Sequence, residues 1–404
     1  FRQPGAGGSP TGNRILDVLQ SLGGVIPSVG DPFNPQLGLT PGTTYEGETN
    51  DWGVSLQGDW DLGFGTLTSI TAYREWENFF PSDTDYTNVD ILRRADDDNA
   101  FRDFRTFSQE IRLQGSAFGG FLDWLVGGYY ANEDLHVRDN LVFGSQYGAF
   151  ASCRLVPSIN PAPVLRNPAA PGCMSAAGRA TLTGAFGAAA PLILSGLDRL
   201  STVNSVGDQF SNYFQDSTNW AIFTHNIINL GDRVSLTVGL RYTSEHKDFS
   251  ANFNNSNTIC PVQQAVFSPF LPGGAAALPA ALQPLAQGIV NLTCQGNSSS
   301  ALNSLQLSDE RGEDEGTGTG VLSWRPSDDL LLYASYSRGY KAGGFNLDRS
   351  ALKAPVLPFA AAGGAQALVG NLQFDPEIND AIELGAKYST GPLSVNVAIF
   401  RQEF

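Results

Sequence analysis

The chain has 404 residues, of which 16% are charged and 11% aromatic, with 45 glycines, one methionine and a formal net charge of −16. That acidic balance argues against a nucleic-acid reader, whose phosphate-binding surface needs a basic excess. No run of about eighteen apolar residues occurs, which argues against a transmembrane helix and leaves a soluble all-β protein or a transmembrane barrel, whose apolar surface is spread over alternating positions.

In chain order, residues 1–50 read as a connection, followed by a hairpin that turns at Leu62-Gly-Phe-Gly65. After a second connection at about 81–99, Phe107, Ile111 and Leu113 oppose Ser108, Glu110 and Arg112, and the strand turns at Ala117-Phe-Gly-Gly120. A long segment, about 139–216, then leads to a turn at 229–232. There the clearest period-two run begins: Val234, Leu236, Val238, Leu240 and Tyr242 alternate with Ser235, Thr237, Gly239 and Arg241. Beyond the segment 251–312 come a turn at 326–329, a connection at 343–375, and a last hairpin turning at 389–392. In that hairpin Ile382, Leu384, Ala386 and Tyr388 share one face, as do Leu393, Val395, Val397 and Ile399. The reading gives about ten strands and no convincing long amphipathic helix. The two most apolar stretches, 185–197 and 275–290, are Ala/Pro-rich and broken.

Short turns and long connections alternate without exception. Connections beyond about fifteen residues are uncommon in compact domains. The alternation instead fits one outer-membrane barrel domain across 1–404, with short periplasmic turns on one rim and long extracellular loops on the other. Trp60, Phe64, Phe118, Phe121, Trp124, Trp324 and Tyr388 lie near the short turns, where an interfacial aromatic belt would sit.

The four cysteines form two close pairs, Cys153 with Cys173 and Cys260 with Cys294, each within one connecting segment. Disulfides there imply an oxidising compartment, the periplasm or the cell surface. Three scattered histidines leave no metal site without carboxylate help, and no C-x-x-C occurs, so no metal is expected. No G-x-S-x-G or other catalytic arrangement occurs, and no cofactor is expected. Gly316-Thr-Gly-Thr-Gly320 lacks the Lys-Ser/Thr of a nucleotide loop, and its alternate glycines predict relief of crowding on one barrel face.

Leu330-Leu-Leu-Tyr-Ala-Ser-Tyr-Ser-Arg-Gly-Tyr-Lys-Ala-Gly-Gly-Phe-Asn346 resembles a signature of TonB-dependent outer-membrane receptors, notably those of sphingomonad-like and caulobacter-like bacteria. The hairpin at 52–73, the pair 107–113 and 122–128, the strand 232–249 and the run 382–387 resemble other parts of the same barrels. The resemblance covers the strands but not the long loops. It implies a barrel of about twenty-two strands, closed by an N-terminal plug and energised through a TonB box by a periplasmic TonB-type protein. Neither plug nor TonB box is recognisable in this chain, so the expectation is about ten strands of a larger barrel wall. A small complete barrel acting as a porin, adhesin or surface enzyme is the alternative.

The expected function is uptake of a scarce, bulky nutrient, first among them a ferric siderophore, across the outer membrane without enzymatic chemistry. The expected ligand-binding residues are Tyr336, Arg338, Tyr340 and Lys341, which climb one strand toward the lumen rim, together with Phe345 in the loop above. Guanidinium, ammonium and phenolic donors suit carboxylate and catecholate ligands. Parity already separates Lys341 from the other three strand residues. The expected partners are membrane lipid, the TonB-type protein and a small-molecule or metal-chelate ligand.

Overall fold

The computed structural model describes residues 15–25, 38–271, 274–276, 278–294, 304–347 and 369–404. The expected connections at 1–50, 251–312 and 343–375 lie partly outside these residues. Ten long strands dominate: β1 (Glu48–Asp61), β2 (Thr66–Phe79), β3 (Phe101–Ala117), β4 (Leu122–Asp139) and β5 (Ser211–Asn229) lead into β6 (Val234–Phe253), β7 (Leu305–Ser327), β8 (Leu330–Lys341), β9 (Glu377–Thr390) and β10 (Leu393–Glu403). They form one sheet in chain order, each strand antiparallel to the next, with β1 and β10 at its edges. The all-β antiparallel architecture expected from the periodicity is therefore the one observed.

All five short turns lie where the sequence places them. In the first, Gly63 takes φ +82°, a left-handed conformation that glycine adopts without strain. Its amide donates to Asp61 Oδ1 at 2.8 Å, and Leu62 N donates to Gly65 O at 2.9 Å. At the opposite rim the strands run further than expected. β5 begins at Ser211 and β7 at Leu305, inside the segments read as loops 139–216 and 251–312. Burial explains the overrun: Val137, Tyr213, Phe249, Ala251 and Phe253 form an apolar cluster with Phe345 and Leu372 at this end of the sheet.

The second departure is helical. The long connections carry α2 (Tyr147–Ile159), α3 (Ala176–Phe186), α4 (Ala190–Ser201), α5 (Ile259–Phe267) and α6 (Gln283–Thr293), after a short α1 (Ile15–Ser21). Ala, Gly and Pro dilute the 3.6-residue rhythm, yet the starting signals are present. Ser175 caps α3 by accepting from Gly178 N at 3.0 Å, and prolines occupy the first turns of α4 and α6. Ile193, Leu197 and Leu200 on α4 and Ile289 and Val290 on α6 are fully buried. The helical run Ala176–Ser201 is long and apolar enough to cross a membrane by length and composition, but it breaks at Gly187 (φ +53°) and turns its apolar side into the other helices.

Helices α2 to α6 build one cap from two separate connections, and Val18 of α1, from a third, packs into the same core. Both disulfides, Cys153–Cys173 and Cys260–Cys294, are formed and lie in its apolar core, with Cα atoms 5.1 and 5.0 Å apart. Across the two connections, Tyr147 Oη donates to Leu292 O at 2.6 Å, and burial pushes its phenol well above the usual range, keeping it a neutral donor. Buried Gln263 accepts from Arg199 Nε at 2.6 Å and donates to Gly196 O at 2.8 Å.

Candidate functional site

Because side chains alternate along a strand, the register of each pair carries a face from strand to strand. Starting from Leu236, Val238, Leu240 and Tyr242 on β6, one face continues through Ile222 on β5, Leu322 on β7, Leu384 on β9 and Val397 and Ile399 on β10. In the other direction it passes through Val126, Ile111 and Leu113 to Leu56 and Val54 on β1. Most of these residues are largely exposed, Leu384 by 59% and Ile399 by 75%. So wide an apolar exposure is untenable in water and natural against lipid.

Two aromatic rows bound this face. Trp60, Trp124, Trp324 and Tyr388 lie toward the short turns, as expected. A second row toward the long connections, containing Trp52, Tyr73, Tyr130, Trp220 and Tyr242, was not anticipated. Its rings meet in pairs, Trp52 with Tyr73 at 5.6 Å and Trp220 with Tyr242 at 5.7 Å. The sequence held the signal: each lies on the apolar parity, one short span beyond the lower row.

The opposite face is polar. Asp51 accepts from Arg74 Nε at 2.9 Å, Glu110 pairs with Arg112 at 3.1 Å, and Arg241 lies 5.6 and 5.7 Å from the ring centroids of Tyr129 and Phe223. Toward the long connections this face gathers a network that the sequence reading missed. Lys247 pairs with Glu245, and Arg311 with Glu313, all with side chains at most 15% exposed. Extending the parity of Arg241 by four and six residues would have found Glu245 and Lys247. Glu313 also accepts from Tyr340 Oη at 2.7 Å and Gly343 N at 3.0 Å, while Gln373 donates to Asp309 at 2.6 Å. Charged partners at low exposure make this the part of the wall best prepared to hold a polar ligand or seat another element.

The five expected ligand-binding residues are not brought together. Tyr336 and Arg338 occupy the apolar face, in register with Ile382 and Asp380, rather than the lumen face the sequence reading gave them. Tyr336 Oη donates to Asp380 Oδ1 at 2.7 Å, and Arg338 Nη1 lies 3.5 Å from Asp380 Oδ2. Their place follows from register alone, since Gly320 and Gly318 opposite them belong to the apolar parity of β7. Tyr340 lies beyond the last β7–β8 pair and turns to Glu313. Lys341, exposed, is on the polar parity opposite Glu377. Phe345 is 5% exposed and stacks on Phe249 with centroids 4.7 Å apart, so it is a packing residue in the present geometry. Phe345→Ala is expected to cost about 3–5 kcal/mol locally. The check is amide exchange at Asn346, whose N–H donates to Leu372 O at 2.7 Å; unchanged protection there would contradict the assignment.

Beyond the upper aromatic row, Asp134, Asp216, Asp248 and Glu310 stand opposite one another on four adjacent strands. Two of them, Asp248 and Glu310, join His246 in placing one donor atom each within 4.8 Å of the others, all three exposed. Among the described residues this is the group that could hold a metal ion, and register rather than sequence proximity assembles it.

A family model described as TonB dependent receptor-like, beta-barrel, matches residues 3–404. No curated protein matches the chain. Among solved structures, the ferric yersiniabactin uptake receptor FyuA from Yersinia pestis is similar at 13% identity and a TM-score of 0.47, over 88% of this chain and 35% of that one. The siderophore receptor PiuA from Acinetobacter baumannii gives 13% and 0.43, over 88% and 40%. The copper transporter OprC gives 10% and 0.43, over 89% and 39%. The chain thus spans about two fifths of these structures or less. With its two-faced sheet and with nearly its whole length matched, the chain belongs to the TonB-dependent receptor β-barrel family and is an integral protein of the bacterial outer membrane.

Proposed function

We propose that this chain forms part of the barrel wall of a TonB-dependent receptor that takes up a ferric siderophore. The two-faced sheet supports this reading most: an exposed apolar face bounded by two aromatic rows meets lipid, and a polar face with ion pairs lines a lumen. In this reading the short turns face the periplasm, and the disulfide-bonded helical cap and the other long connections are extracellular. A plug domain seated in the lumen couples the receptor to the TonB-type energising protein. The edges of β1 and β10, paired on one side only, are completed by further strands.

The ligand contacts are then placed on the polar face near the long connections, where Lys341 and Tyr340 remain candidates beside Lys247 and Arg311. Cationic and phenolic donors suit the carboxylates and catecholates that wrap ferric iron. The test is uptake of radioiron carried by siderophores of defined chemistry, in iron-limited cells with and without the full-length receptor. Receptor-dependent accumulation that vanishes when the energising protein is deleted is the expected result. Accumulation that survives that deletion would indicate a passive pore and overturn the proposal.

A further inference from the structure

Of the side chains named above as ligand contacts, three are already engaged by oxygens of the chain itself. Lys247 pairs with Glu245, Tyr340 Oη donates to Glu313, and Arg311 pairs with Glu313 on its own strand. Arg311 is also held from a second element: Nη1 donates to Gln373 Oε1 and Nη2 to Asp375 Oδ1, each at 3.4 Å. That element is rooted in a two-stranded ribbon, Gly344–Phe345 against Gln373–Phe374, made by the two ends of the β8–β9 connection.

Phe345 and Leu372 anchor the ribbon among Tyr213, Phe249 and Phe253. Phe249 shares the parity of Glu245 and Lys247, so the ribbon lies on the polar face, against the ion pairs. The crowding that the sequence suggested for Gly316 to Gly320 holds there only at Gly318, but it is severe under the ribbon. A Cβ added at Gly343 would meet Phe374 O at 2.5 Å, Glu313 Oε1 at 2.6 Å and the Arg311 guanidinium carbon at 2.9 Å. One added at Gly344 would come within 3.7 Å of Lys247 Cδ. Glycine thus lets the ribbon backbone close directly onto these cations, whose side chains are only 13% and 15% exposed.

We propose that the ribbon is an autoinhibitory strap: Gln373 and Asp375 occupy Arg311 in place of a ligand's carbonyl and carboxylate oxygens, and an anionic ligand must displace them to reach the cations beneath. The inference rests on the reading of Arg311 as a ligand contact. The contacts are graded as a displaceable latch requires. Asp375 has a side chain 96% exposed, and exposed ion pairs are weak, whereas a ligand that offers two oxygens to one guanidinium binds it in a bidentate, charge-assisted manner.

The test uses the full-length receptor in intact cells and has two readouts. Leu372→Cys reports on the ribbon without any ligand, because Leu372 is fully buried at its base. Reaction of that thiol with the membrane-impermeant 2-sulfonatoethyl methanethiosulfonate is expected to be at least fivefold faster when Gln373→Ala/Asp375→Ala is added. Asp375→Ala alone, at an exposed position, guards against misfolding, with a smaller acceleration expected. Unchanged labelling in variants that stay folded by heat-modifiable mobility would overturn the proposal. The second readout is uptake of radioiron supplied as ferric citrate and as a ferric tris-catecholate. With Leu372 in place, Gln373→Ala/Asp375→Ala is expected to lower the half-saturating concentration at least threefold. Faster labelling with no such gain would show that the ribbon does not compete with the ligand, and would overturn the proposal alone. Wild-type cells without receptor-dependent uptake would overturn the transport reading and the proposal together.

Discussion

Leu384→Arg is expected to destabilise the barrel by about 2–4 kcal/mol, whereas Ser335→Arg, on the opposite face of the neighbouring strand, should change stability by less than about 1 kcal/mol. The contrast comes from parity. Leu384 lies on β9 between Ala334 of β8 and Ile399 of β10, in the middle of the apolar face. A guanidinium there must leave water for hydrocarbon. Ser335 lies one residue on from Ala334, opposite Glu383 and Val321, and its side chain points to the polar face, where a cation stays hydrated and finds a carboxylate near. Urea unfolding of the full-length receptor in lipid vesicles, followed by tryptophan fluorescence, measures both variants. Equal losses would mean that the two faces do not differ in environment; a larger loss for Ser335→Arg would mean that they are assigned the wrong way round.

Removing either disulfide is expected to destabilise the helical cap by about 3–4 kcal/mol and to leave the strands untouched. The bridges close segments of 20 and 34 residues, and both lie in the apolar core that joins α2 to α6. Without them the unfolded cap regains the freedom of two long, Ala-rich connections. Cys153→Ala/Cys173→Ala and Cys260→Ala/Cys294→Ala avoid placing hydroxyl groups in that core, where the four cysteines are at most 6% exposed. Limited proteolysis should cut the cap segments sooner in each variant, while heat-modifiable mobility of the barrel is preserved. A cap equally resistant in the disulfide-free protein would show that packing alone holds it.

What the sequence disclosed, and what it hid, follows from the period of each signal. A half-buried strand repeats every two residues, so Val234 to Tyr242 and Leu393 to Ile399 were legible from residues alone, and the tight turns marked the rims. The helices of the cap were not legible, because Ala and Gly carry little hydrophobic contrast and only the caps and first-turn prolines announced them. The site reading erred for another reason. Residue type alone assigns Tyr336 and Arg338 to the lumen, but the face of a strand is fixed by its neighbours' register, and Leu384 and Leu240 place them outside. The ion pairs Lys247–Glu245 and Arg311–Glu313 stand opposite each other on two strands separated by a connection of some fifty residues, a relation no local pattern carries.

The central claim is that the alternation along each strand divides lipid from lumen. It is tested most directly by nitroxide labels placed singly at 236, 237, 238, 240, 241 and 242 on β6 of the full-length receptor in lipid vesicles. Collision rates with oxygen, which concentrates in lipid, and with a water-soluble nickel chelate should alternate with period two. Positions 236, 238, 240 and 242 are expected to be oxygen-accessible, and 237 and 241 shielded from it. Alternation in the opposite phase, or none, would contradict the account.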